Sequence, residues 1–216
     1  MRVEIIGGMG VGKTTLCATL TRLGFHCVNE NLGRNQYLDL AYEDPQSYGV
    51  YSQISFVLGN FFTFKQNSKP EEISVFDYSI INDMAYATLF LNDAERDVVL
   101  QTIDCMEQKE GRADLYLYLT CSAEVQLRRI RNRSRDHEKG VSVEFIETLD
   151  SHLRKFTAQA SEAGARIITI DTEAVNLLTD VDYIGQLGLE ILMALNGVLD
   201  EKHPLQYELP VTDVAA

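Results

Sequence analysis

The chain has 216 residues, of which 45% are hydrophobic and 24% charged, and its formal net charge is −13. That length suits one domain with a substantial core. The acidity disfavours a nucleic-acid polymer as partner, which needs a basic surface, and no apolar run is long enough to span a bilayer. In chain order, Arg2–Ile6 reads as a buried strand, then a glycine run, then a helix over Gly12–Leu23. A weak strand over His26–Asn29 precedes helices at Gln36–Tyr42 and from Gln46 to about Lys65. The strand Ile73–Asp77 leads into helices at Ile80–Leu91 and Ala94–Glu110. The strand Asp114–Leu119 is followed by helices at Ala123–Asn132 and Val143–Ala163, and Arg166–Ile170 by a helix at Asp180–Ala194. From about Asp200 to Ala216 periodicity is lost and Pro204 and Pro210 appear, so a domain over 1–199 with a C-terminal tail is expected. Alternating strands and helices imply a parallel sheet with helices on both faces and ligands at the carboxyl ends of the strands.

Between the first strand and the first helix, Gly7, Gly12, Lys13 and Thr14 satisfy G-x-x-x-x-G-K-[ST]. Glycines at Gly7, Gly8, Gly10 and Gly12 let the backbone around Val11 turn its N–H groups inward on an anion. The helix N-terminus, near Thr14 and Thr15, adds unpaired donors and the positive end of its dipole. Lys13 would reach the terminal phosphates and the Thr14 hydroxyl would ligate Mg²⁺. Asp77 closes the strand ISVFD, where a carboxylate can bind the same ion; the competing reading is a helix N-cap. Glu30 ends the second strand, placed to take a proton from an acceptor hydroxyl. Arg128, Arg129, Arg131, Arg133 and Arg135 put five of 19 basic residues into eight positions of an acidic chain. Arg129 and Arg133 share a helix face, and Arg135 follows where the helix gives way to a loop. Guanidinium forks suit the charge that spreads over phosphoryl oxygens during transfer. The residues together read as a P-loop phosphotransferase.

Four scattered cysteines, Cys17, Cys27, Cys105 and Cys121, have no metal-ligand spacing. Free thiols and the absence of a signal pattern after Met1 lead to an expected cytoplasmic location.

YEDPQSYGVYSQ at Tyr42–Gln53 resembles the deoxynucleoside kinase family, and the likeness runs over most of the chain in order. A strand-end Glu (Glu30) comes first, then Tyr42 before Pro45, Tyr48 and Gln53, then Asp77 in FDYS with Asp83 six residues later. The stretch LRRIRNRSRDHEKGVSVEFIETL is similar to the family's arginine lid, here about 129–140, and VFDYSIINDMAYATL to its bacterial deoxyadenosine and deoxyguanosine kinase branch. The resemblance implies a P-loop kinase fold, α/β, with a five-stranded parallel sheet, helices on both faces and an arginine-rich lid. It implies ATP and Mg²⁺ as cofactors and transfer of the γ-phosphate to the 5′-hydroxyl of a deoxynucleoside, a purine being favoured. Glu30 would be the general base, Lys13 the donor-phosphate ligand, Thr14 and Asp77 the metal ligands, and Arg129, Arg133 and Arg135 the lid. Tyr42 and Glu138 would contact the 3′-hydroxyl, and Gln53 would read the base with help from Asp83. Phe56, Phe61, Phe62 and Phe64 read mostly as core.

Two positions depart from the family pattern. Many members carry an arginine seven residues after the Gln, where this chain has Asn60, expected here to open the base pocket to a purine or an altered base. Animal members carry an arginine where this chain has Tyr78. Alternative readings are a nucleoside-monophosphate kinase, which needs more positive charge at the acceptor, and a non-catalytic nucleotide-binding member of the fold. Relatives imply a homodimer, and the apolar run Gln53–Phe64 suits either an interface or an interior helix.

Overall fold

The computed structural model describes residues 1–69, 72–133 and 140–199. Five strands form one parallel sheet: β1 (Arg2–Ile6), β2 (His26–Val28), β3 (Ser74–Phe76), β4 (Leu115–Thr120) and β5 (Ile167–Asp171). Their order is β2-β3-β1-β4-β5, with Val3 opposite Val75 on one side and Leu115 on the other. All five residues of β1 are buried, as a strand covered on both faces requires. The sheet matches the expectation in strand number and direction. The crossover places the carboxyl ends of β1, β3 and β4 side by side, where an open α/β sheet binds ligands.

Alternation along β1 decides what each face meets. Val3 and Ile5 pack with Leu16 and Leu20 of α1 (Lys13–Arg22) and with Leu187 and Ile191 of α8 (Val181–Leu199). On the opposite face Ile6 packs with Ile81 and Ala85 of α4 (Ile80–Phe90) and with Leu149 and Leu153 of α7 (Val143–Glu162). Beside them Phe61 and Phe64 of α3 (Pro45–Asn67) join Val99 and Ile103 of α5 (Asp93–Glu110) in a further cluster. The two remaining helices, α2 (Leu38–Glu43) and α6 (Ala123–Arg133), both carry residues that line the pocket.

Boundaries follow local chemistry. Asp44 accepts from the Ser47 amide and Pro45 takes the first helical position, so α3 starts one residue earlier than its predicted Gln46. Asn92 and Ser142 cap α5 and α7 in the same manner. A 3-10 turn at Leu32–Arg34 delays α2, and α8 continues past the expected Ala194 because Leu195 still faces the core. On α3, Gln53, Val57, Phe61 and Phe64 are buried while Tyr51, Leu58 and Phe62 are exposed. The run Gln53–Phe64 is therefore interior on one face and apolar toward solvent on the other. All four cysteines are free, and Cys27 of β2 packs in the same cluster as Cys17 of α1.

A buried polar network joins β1 to α4. Glu4 Oε1 lies 3.0 Å from Arg2 Nε, and its Oε2 accepts from the Ser79 hydroxyl at 2.9 Å and the Ile80 amide at 3.0 Å. Burial pushes the Glu4 carboxyl up, against the pull of Arg2 and those donors. Such a pair adds little net stability but is costly to break, so it fixes where α4 begins.

Candidate active site

The glycine turn is a cradle that few other residues could build. Gly10 has φ +74°, and a Cβ there would sit 2.8 Å from the Gln126 carbonyl oxygen. Gly12 has φ +112° and is the N-cap of α1 without offering a side-chain cap. The first-turn N–H groups of α1, including those of Lys13, Thr14 and Thr15, therefore keep their donors for a bound anion. Gly8 faces Gln126 and Asp150 so closely that a Cβ would come within 2.6 Å of Gln126 Oε1. Lys13 curls back over the turn, donating to the carbonyls of Gly7 at 2.8 Å and Gly8 at 2.9 Å. Burial pulls its ammonium down, partly offset by Asp77 and Glu30.

The Thr14 hydroxyl donates to Asp77 Oδ2 at 2.7 Å. The Asp77 amide donates to the Val28 carbonyl, so β2 and β3 fix this carboxylate together. Ser79, not Asp77, caps α4: its hydroxyl oxygen accepts from the Ile81 amide. A hydroxyl and a carboxylate at one point are hard oxygen donors, which is the ligand type Mg²⁺ takes while keeping several waters. The residues present fit that ion.

One cavity of about 1130 Å³ runs from the cradle to the N-terminal half of α3. It exceeds the space of one ordinary ligand and suits a donor and an acceptor side by side. Gly10, Val11, Gly12, Lys13, Thr14 and Thr15 line its phosphate end; Gly7 and Gly8 lie behind them. Glu30, Tyr42, Gln53, Asp77 and Asp83 line the remainder, with Phe56 and Tyr86 among the apolar walls. Gln53 and Asp83 are 8% and 6% exposed, so an unpaired partner at either would be costly.

Asn60 is placed differently from the expectation. Its amide lies behind Asp83, outside the cavity lining, and donates to Asp83 Oδ2 at 2.9 Å. Its side chain thus supports the pocket's carboxyl group. Tyr78 also turns inward. Its ring borders the cavity but stacks on Phe64 with centroids 5.3 Å apart, and burial pushes its phenol up.

On α6, Arg129 and Arg133 face the cavity and Arg128 is exposed, as an i, i+4 stripe demands. Arg129 is engaged: Nη2 donates to the Thr172 carbonyl at 2.7 Å, and Nη1 to the Thr172 hydroxyl at 3.0 Å and the Val11 carbonyl at 3.2 Å. It thereby joins α6, the cradle and the end of β5. Arg135 and Glu138 lie outside the described residues.

Two contacts escaped the sequence reading. The side chain of Asn82, in the first turn of α4, donates to the Gly7 carbonyl at 2.8 Å and accepts from the Gly7 amide at 3.2 Å. Thr172 donates to Val11 O at 2.8 Å. A polar Asn82 among apolar residues at the start of α4 was the available signal; Thr172 left none.

The family model described as deoxynucleoside kinase matches residues 3–191. The deoxyadenosine kinase of Dictyostelium discoideum is 30% identical over 165 residues, covering 74% of this chain and 67% of that protein. The deoxyguanosine kinase of Bacillus subtilis is 24% identical over 179 residues, 80% of this chain and 86% of that one. A solved structure of deoxyadenosine kinase from M. mycoides with bound dATP superposes with a TM-score of 0.71 at 21% identity, over 92% of this chain and 99% of that one.

Proposed function

Because the chain belongs to the deoxynucleoside kinase family, its activity is ATP-dependent phosphorylation of a deoxynucleoside, and we propose that its own residues divide that reaction as follows. The observation that supports the proposal is the cavity that Lys13, Glu30, Gln53, Asp77 and Asp83 share. It holds the Lys13 cradle at one end, the Gln53–Asp83 wall at the other, and Glu30 and Asp77 among its lining. Gln53 orients the base, since an amide offers a donor and an acceptor together. Tyr42 and Glu138 hold the 3′-hydroxyl. Glu30 accepts the proton of the 5′-hydroxyl as that oxygen bonds to the γ-phosphorus and the bond to the leaving diphosphate breaks. Lys13 leaves the Gly7 and Gly8 carbonyls for the donor phosphates, and the cradle N–H groups hold their oxygens. Thr14 and Asp77 would hold Mg²⁺, which neutralises phosphate charge when bound. Arg133 and Arg135 close over the transferred group, while Arg129 sets the position of the lid helix against the cradle.

Lys13, Arg129 and Arg133 are the cationic side chains lining the cavity among the described residues. Arg22, Arg34 and Lys65 bond to Thr19, Thr63 and Glu110 instead. That leaves little charge for an acceptor that already carries a phosphate. A purine deoxynucleoside as substrate, nucleotide salvage in the cytoplasm and a homodimer through the outer face of α3 complete the proposal. Among the described residues no helix is long and apolar enough to cross a membrane.

Phosphate transfer from ATP–Mg²⁺ to a panel of nucleosides and nucleoside monophosphates tests the reading, with Lys13→Ala as control. Product from deoxynucleosides that falls by about 10²–10³-fold or more in the variant is expected. Product from monophosphates alone, or ATP binding without product, would overturn it.

A further inference from the structure

Gln126 of α6 meets the cradle at two points without lining the cavity. Its backbone carbonyl oxygen would lie 2.8 Å from a Cβ at Gly10, and its side-chain Oε1 2.6 Å from a Cβ at Gly8. The second oxygen packed on Gly8 is Oδ1 of Asp150, 2.8 Å from the same Cβ position. Asp150 stands on α7 and also lies outside the cavity lining. The two side chains are joined. Gln126 Nε2 donates to Asp150 Oδ2 at 2.7 Å and to the carbonyl of Cys121, just past β4, at 3.3 Å. Gln126 is 1% exposed, and its Oε1 is buried with no hydrogen-bond partner. Its buried neighbours on α6, Val125, Leu127 and Ile130, are apolar, so a buried amide at this position is a cost that packing does not require. One turn further along α6, Arg129 reaches the carbonyls of Gly10 and Val11, and one turn beyond that Arg133 lines the cavity. Gln126 therefore stands where the cradle meets the helix that carries the arginines.

Resting on the kinase reading, we propose that Asp150 is a positioning residue for phosphate transfer: it accepts from Gln126, keeps that amide's oxygen against Gly8, and so sets the distance between the cradle and α6. A carboxylate accepts and never donates, so Nε2 turns to it and Oε1 turns to Gly8. Both atoms that meet Gly8 are then oxygens, which suit the polarised Cα–H groups of a glycine. Burial raises the Asp150 carboxyl, opposed by the Gln126 amide and by the opposite charges of Arg154 and Lys13, which favour the accepting form. An asparagine at position 150 cannot keep this arrangement. Whichever way two amides turn to bond each other, one NH2 group is left facing Gly8. That group is larger than an oxygen and has the same polarity as the Cα–H groups it meets, so it pushes the turn away. Gly7 is held from the other side by Asn82, and the Gly8 carbonyl is one of the two on which Lys13 rests. A displaced Gly8 therefore acts on the donor phosphates and leaves the nucleoside end of the cavity as it was.

Calorimetric titration with ATP–Mg²⁺, and separately with 2′-deoxyadenosine and 2′-deoxyguanosine, tests this on Asp150→Asn, Asp150→Ala and Gln126→Met. ATP affinity should fall on the order of tenfold in Asp150→Asn while nucleoside affinity holds. Steady-state kinetics should show the same split, with KM for ATP raised and KM for the nucleoside unchanged. Asp150→Asn keeps the size of the side chain, so it decides the matter if Asp150→Ala does not fold. Gln126→Met fills the same space without polar atoms and should show a similar loss. Asp150→Asn added to Gln126→Met should then cost nothing more, because Asp150 acts through Gln126. Unchanged ATP affinity in Asp150→Asn, an equal fall for ATP and nucleoside, or additive losses in the double variant overturns the proposal. Binding is read without turnover. A native chain that binds ATP yet phosphorylates no nucleoside removes the kinase reading, and a loss of ATP affinity in Asp150→Asn would still place Asp150 behind the cradle. A native chain that binds no ATP overturns both.

Discussion

Glu30, Lys13 and Asp83 line one cavity in different environments. Glu30 is exposed and lines the cavity, and it is the residue proposed as general base. Glu30→Gln keeps the shape and removes the base, so kcat should fall by about 10²–10⁴-fold while nucleoside affinity changes little. Steady-state kinetics beside calorimetry separate the two effects; an equal loss in binding would make Glu30 a positioning residue. Asp83 lies inside, and its raised proton affinity is also a statement about stability. The folded state binds the proton more tightly than the unfolded chain. The stabilisation from this group is therefore complete below the ordinary carboxylate range and is lost as pH rises through the folded value. Urea denaturation at a series of pH values should show that loss in the native chain and a flatter profile in Asp83→Asn.

α4 does more for the site than its four cavity residues, Asn82, Asp83, Tyr86 and Phe90, suggest. Its cap Ser79 is tied to Glu4 of β1, Asn82 grips both backbone groups of Gly7, and Asp83 rests on Asn60 of α3. One helical turn therefore fixes the cradle and the acceptor wall relative to each other. Asn82→Ala should leave the fold intact but loosen Gly7. Misplacement of this kind costs on the order of tenfold to a hundredfold in kcat/KM. The loss should fall mainly on the ATP side, measured by varying ATP at saturating nucleoside. A loss confined to nucleoside KM would assign Asn82 to the acceptor instead. α6 plays the matching part on the other side through Arg129, Thr172 and Val11.

For the molecule as a whole, strand order decides where the chemistry sits. β1 lies between β3 and β4, so the cradle after β1 meets the Asp77 that follows β3. The helix α3 crosses outside this centre with Gln53 inward and Tyr51, Leu58 and Phe62 outward. An apolar stripe of that kind on a long helix is the surface proposed for the homodimer. The double substitution Leu58→Asp and Phe62→Asp should convert a dimer into a monomer in sedimentation velocity and leave the secondary structure unchanged. A native chain that sediments as a monomer would remove the proposal.

The cradle was legible in the residues because its requirements are local: glycines where φ is positive, a lysine and a threonine at fixed offsets, and a strand and a helix on either side. The strand-end position of Asp77 and the shared face of Arg129 and Arg133 were legible for the same reason, since strand ends and 3.6-residue periodicity belong to short stretches of chain. What Asn60 does was not legible. Its partner Asp83 is 23 residues away on another helix, and only packing turns its amide behind the pocket rather than into it. The grip of Asn82 on Gly7 spans 75 residues and depends on where Glu4 anchors the start of α4. The sequence by itself determined the fold class and the glycine cradle. Tertiary structure alone decided the surroundings of Asp83 at the other end, because the groups that meet a buried carboxyl are brought there by packing between distant segments.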